Sequence, residues 1–136
     1  MTNGTTVSKK ANLAIVLEGT QLSVRDDGGE GGGGGNLMIE KQKHVKFTNT
    51  TAYECVLSFF QLKEVDDATV DTATPIWIFD ETDANGSKKI LAAKKHWNAK
   101  LKAGLPGVTG AICVKYTVKL TGSGVPALDP VIIVRQ

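Results

Sequence analysis

Apolar residues in this chain recur at every second position far more often than at helical spacing. Leu13, Ile15 and Leu17 alternate with smaller or polar neighbours, and Leu22 and Val24 follow a Gly19-Thr20 break. This predicts one or two strands from about Asn12 to Arg25. Leu37 and Ile39, then Val45, Phe47 and Asn49, then Cys55, Leu57 and Phe59 form three more alternating runs, each read as a strand with one buried face. Pro75-Ile76-Trp77-Ile78-Phe79 is a compact strand candidate behind an acidic, Thr-rich loop from Glu64 to Thr74. Near the end, Ile112, Val114, Tyr116, Val118 and Leu120 point one way while Cys113, Lys115, Thr117 and Lys119 point the other. Val131 to Val134 closes the chain, and Gly122, Gly124, Pro126 and Pro130 supply the turn between these last two runs.

The stretch from Ser87 to Ala103 supports two readings. A short helix near 87–97 would take Ser87 as its cap, put Ile90, Ala93, Trp97 and Leu101 on one stripe, and end before Gly104. Trp97, Ala99 and Leu101 alternate equally well as a strand. Eight or nine short strands with turns between them predict an all-β fold, a Greek-key sandwich of two antiparallel sheets. One domain fits the length of 136 residues. We place it at 12–136, behind a flexible N-terminal segment at 1–11. The glycine-rich run at 28–35 has almost no side chains to pack and reads as a mobile loop. It lacks the Lys-Ser/Thr ending of a phosphate-binding loop, and no helical pattern follows it.

Composition narrows the chemistry further. Hydrophobic content of 41% with 22% charged residues is that of a globular domain, and a net charge of +2 does not by itself imply a polyanionic partner. The two cysteines, Cys55 and Cys113, form no CxxC pair and suggest neither a disulfide framework nor a zinc ribbon. The polar start of the chain and the lack of any apolar run of membrane-spanning length predict a cytoplasmic protein with no membrane partner. A leader already removed would make it periplasmic instead.

The run Val45-Lys-Phe-Thr-Asn-Thr-Thr-Ala-Tyr-Glu-Cys-Val-Leu-Ser-Phe59 resembles the strand, Asn-bearing turn and strand of the cupredoxin family, as in plastocyanin-like proteins. Lys115-Tyr-Thr-Val118 and Asp129-Pro-Val-Ile-Ile-Val134 resemble the closing strands of bacterial cupredoxin-like domains. The resemblance implies a cupredoxin-like sandwich; an immunoglobulin-like one shares the same strand pattern. In the family, copper is held by a Cys, two His and usually a Met, soft sulfur and borderline nitrogen in a trigonal arrangement. The position matching the first His is Cys55, and Thr117 to Gln136 contains no Cys, His or Met. The family's ligand set is therefore missing, and no cofactor is expected.

Other sites are no better supported. His44, His96, Cys55 and Cys113 are the right types for zinc, but none lie at the short spacings of such sites. Alternation turns His44 and Cys113 outward and Cys55 toward the core. Cys113 beside Lys115 has no placed base to complete a nucleophilic set, and Asp26-Asp27 and Asp66-Asp67 read as solvated turns. We therefore expect no enzyme.

One feature asks for a functional idea. Glu54 to Asp83 holds eight acidic residues and only Lys63 against them, whereas Ala84 to Leu128 holds eight lysines and no acid. Lys88, Lys89, Lys94, Lys95, Lys100 and Lys102 crowd around His96 and Trp97, a candidate anion-binding segment. The bland alternative is that the two halves neutralise each other, with Trp97 in the core. The leading expectation is a non-catalytic interaction or structural module without copper, associating with another protein or itself through a sheet. The alternatives are polyanion or nucleic-acid binding through 88–102, and a metal-binding or electron-transfer protein with a rebuilt site.

Overall fold

The structure, a computed structural model, describes residues 8–26, 37–62, 70–83, 85–103 and 111–135. These hold nine strands: β1 (Ser8–Glu18), β2 (Gln21–Asp26), β3 (Leu37–Asn49), β4 (Cys55–Leu62), β5 (Val70–Pro75), β6 (Lys88–Leu91), β7 (His96–Lys100), β8 (Ala111–Leu120) and β9 (Val131–Arg135). Alternation sets their inner faces. Leu13 and Ile15, Leu22 and Val24, Ile39, Val45 and Phe47, Cys55, Leu57 and Phe59, and Val114 to Leu120 at every second position are all buried.

The hydrogen-bonded path runs β2-β1-β3-β9-β8-β4-β5, with β7 on β3 and β6 on β4. It folds into two layers because β3 changes partner along its length. Leu37–Glu40 pairs with β9, whereas His44–Thr48 pairs with β7. One sheet is therefore β2-β1-β3-β7 and the other is β9-β8-β4 with β6 and β5 sharing the far edge of β4. Between the layers, Phe47 of the first sheet packs edge-on against Phe59 and Tyr116 of the second, at 6.5 and 5.8 Å between ring centroids. Trp77, Phe79 and Trp97 complete a six-ring cluster in which Phe47 stacks on Trp97 at 5.3 Å and Trp97 on Trp77 at 6.0 Å. Stacked and edge-to-face rings at these distances add to the hydrophobic term of burying large apolar surfaces.

Four expectations need correction. The helix near 87–97 is absent: β6 and β7 occupy that stretch, joined by a turn in which Lys95 N–H donates to the Ala92 carbonyl at 3.2 Å. Pairing with the long strands β4 and β3 outweighs the weak helical stripe, so Leu91 is buried and Ile90 is left 48% exposed. Ser87 and Lys94 sit at φ of 61° and 63°, which no continuous helix permits. Second, the sheets are not wholly antiparallel, since β1–β3 and β3–β9 are parallel pairs. Third, β1 begins at Ser8, inside the segment expected to be flexible. Fourth, β5 lies in the expected acidic loop and ends at Pro75, where the predicted strand was to start. Ile76 N–H then bonds the Phe59 carbonyl, and Phe79 bridges Leu101, carrying the chain from one sheet to the other. The glycine run at 28–35 lies outside the described residues.

Candidate functional site

One end of the sandwich gathers the β3–β4 turn, the β6–β7 turn and the β8–β9 connection. Its organiser is Asn49, the last residue of β3, whose inward parity buries it completely. A buried amide demands partners. Asn49 Nδ2 donates to the carbonyl of Tyr53 at 2.7 Å and shares its other hydrogen between Leu91 and Ala92 at 3.1 and 3.2 Å. Its Oδ1 accepts the Thr51 N–H at 3.0 Å and the Thr51 hydroxyl at 2.7 Å. The Asn49 N–H meets the Lys95 carbonyl at 2.8 Å, and Thr121 N–H meets that of Glu54 at 2.8 Å. One side chain thus ties two sheets and two turns together.

Beside it, Cys55 opens β4 facing inward, opposite Leu91 on one neighbour and Leu120 on the other. It is a free thiol, wholly buried. Desolvation by burial pushes its pKa up from 9.0 to about 12, against a smaller lowering from a backbone hydrogen bond at Lys119. A thiol in that state is a small core hydrophobe rather than a nucleophile or ligand. Residue-resolved alkylation of the folded protein near pH 8 should leave Cys55 unmodified, with labelling only after denaturation. Labelling at the rate of an exposed thiol would contradict the packing.

No protein-family model matches the sequence, and no curated protein matches it either. Among solved structures, the chain is similar to McoA, a multicopper oxidase from the hyperthermophile Aquifex aeolicus, with a TM-score of 0.50 and 9% identity. The alignment covers all of this chain and 31% of that one, so the chain spans about a third of the oxidase's length. The fold is cupredoxin-like. At this identity the likeness speaks to architecture alone.

Copper, which a cupredoxin-like fold implies, does not fit the residues present. The position that the resemblance of Val45 to Phe59 sets against the family's first His holds the buried Cys55, and the β8–β9 connection, Thr121 to Pro130, offers no Cys, His or Met. His44 and His96 are exposed on the outside of the first sheet. Among the described residues no three of His, Cys, Asp and Glu are grouped to hold a metal ion. The orientation of Cys113 falls outside what is described. A cavity of about 370 Å³ beside β2, lined by Glu18, Gln21, Ser23, Val24 and Arg25, contains an ion pair between Glu18 and Arg25 and no His or Cys.

The Lys-rich segment is divided between the two layers. Lys88 and Lys89 lie on β6 of the second sheet; Lys94 and Lys95 lie in the turn; His96 and Lys100 lie on β7 of the first, with Lys102 just beyond. Trp97 is core, 6% exposed, so it offers no exposed surface for stacking. Its Nε1–H donates to Glu81 Oε1 at 2.8 Å, while Lys89 Nζ lies 3.3 Å from Glu81 Oε2 and 4.9 Å above the Trp97 ring. At that point the acidic and basic halves of the chain do meet. Lys115 is likewise taken up, 3.2 Å from Asp129. The pairing between β3 and β7 adds what the linear sequence hid: His44 lies directly opposite Lys100, Lys46 opposite Asn98, and Thr48 opposite His96. Only the register brings His44 and Lys46, some fifty residues earlier, onto the face of β7.

Proposed function

We propose that this chain is a non-catalytic interaction module, a cupredoxin-like sandwich whose copper end is used as structure. The observation that carries the reading is the exchange at that end: Cys55 sealed among Leu91 and Leu120 where the resemblance implies a ligand, next to a buried Asn49 whose amide bonds are spent on joining the turns. A metal site needs deprotonated donors aimed at a common point, and a polar network of this kind rigidifies the scaffold instead. What then remains for function is the outer surface of the two sheets. The test is residue-resolved thiol protection with and without excess copper or zinc. The reading expects Cys55 to be equally protected in both, and a metal-dependent change at Cys55 would overturn it.

A further inference from the structure

We propose that the outer face of the first sheet, along β3 and β7, is a docking surface for the phosphate backbone of double-stranded nucleic acid, bound without regard to sequence. The inference rests on the reading of this chain as an interaction module, and it redraws the basic segment that the linear sequence suggested. Both histidines of the chain lie on this one face. With Lys46, Lys94, Lys100 and Lys102 they form a track that runs the length of the ribbon, from the β6–β7 turn to the residue after Leu101. His44, His96, Lys94 and Lys100 are exposed, and Lys46 and Lys102 half-exposed. Among the described residues none of the lysines on the track has an acidic side chain within ion-pair distance; Lys94 Nζ meets the Thr50 carbonyl at 2.6 Å. Asp80, whose N–H bonds the Lys100 carbonyl, borders the edge of β7, and Glu18 on the same sheet is already held by Arg25.

The composition of the face selects the partner. Outward residues repeat roughly every 7 Å along a strand and neighbouring strands lie about 5 Å apart, so the cations form a regular row rather than a pocket. Between them stand Asn12, Thr48 and Asn98, and amide and hydroxyl groups beside lysines are the usual donors to phosphate and sugar oxygens. No aromatic side chain of β3 or β7 lies on this face to stack an unpaired base, because Phe47 and Trp97 both point inward, and the exposed Tyr53 belongs to the β3–β4 turn. Nor does a large apolar residue stand among the cations to enter a lipid layer, since the exposed Ile90 belongs to the other sheet. Lysine rather than arginine supplies the fixed charge, which suits contact with a phosphate as a point charge more than bidentate reading of a base.

The experiment is fluorescence polarisation of a short labelled DNA duplex against the purified chain. We expect binding at low salt that falls roughly 100-fold between 50 and 200 mM, as for the neutralisation of about four phosphates. Lys46→Glu with Lys100→Glu should weaken it at least tenfold, on the expectation that each lost contact also becomes a repulsion. The control Lys88→Glu with Lys119→Glu makes the same change in net charge on the outside of the second sheet and should shift it by no more than two- to threefold. All four positions lie outside the core, and matched thermal melts verify the fold. The proposal is overturned by absence of binding at low salt, by equal losses in the two double variants, or by preference for anionic vesicles over duplex. Metal content does not enter this readout, so its failure is separate from failure of the copper-less reading.

Discussion

Replacing Phe47 by Ala should lower the unfolding free energy by about 3 to 5 kcal/mol, the range for a large aromatic deleted from a packed core. Phe47 is fully buried and contacts Phe59, Phe79, Trp97 and Tyr116, so its ring touches both layers and the crossing segment between them. Little can collapse into the space, because the surrounding rings are held by one another and Trp97 and Trp77 are also pinned to Glu81 by their indole N–H groups. A loss of that size is a large fraction of a domain's stability and should move the melting temperature down by more than about 10 °C. The equivalent change at the outward-facing Lys46 should have an effect within about 0.5 kcal/mol. Chemical denaturation of the two variants side by side checks the pair, and comparable losses would mean that the six rings do not form the shared core.

Asn49→Asp should destabilise by about 3 to 5 kcal/mol at neutral pH, and the penalty should shrink on acidification. The substituted carboxylate keeps the acceptor role toward Thr51 but turns its second oxygen against the carbonyls of Tyr53, Leu91 and Ala92. Burial and facing carbonyls both disfavour the anion, so the carboxyl's folded pKa rises above the unfolded value of about 3.9. The protonated carboxyl binds its proton more tightly in the folded state. Its relative stability is therefore greatest below the unfolded pKa and is lost as pH rises through the folded one. Denaturation of wild type and variant at pH 5 and pH 7 measures this. A pH-independent penalty would mean that Asn49 only fills space. Asn49→Ala, which leaves the same carbonyls without a donor, should cost about 2 to 4 kcal/mol at either pH.

The inner faces of the strands were legible because a buried sheet face imposes a strict period of two, and Val45, Phe47, Cys55, Leu57, Phe59 and Val114 to Leu120 obey it. The stretch 88–100 was ambiguous because Ile90, Trp97 and Leu101 satisfy two periods at once; pairing with β4 and β3 decides between them, and pairing is not local. The partner switch in β3 was equally hidden, since one uninterrupted alternating run cannot show that its two halves join different sheets. At the candidate sites, the inward turn of Cys55 followed from its place in an alternating run. The role of Asn49 did not: its acceptors, Leu91 and Ala92, lie more than forty residues away. The basic segment misled in an instructive way. A charge run read along the chain counts Lys88 and Lys100 together, whereas the fold sends them to opposite layers and gives Lys100 a new neighbour in His44.

The proposed reading has the Cys55 and Asn49 end of this sandwich closed by core packing and by the Asn49 bonds, with no copper site. Calorimetric titration of the purified protein with copper, with metal content measured after removal of excess, tests it most directly. The account predicts no stoichiometric copper and no loss of the Cys55 thiol. One equivalent of copper retained together with consumption of that thiol would contradict it, and would mean that Cys55 belongs to a rebuilt metal site.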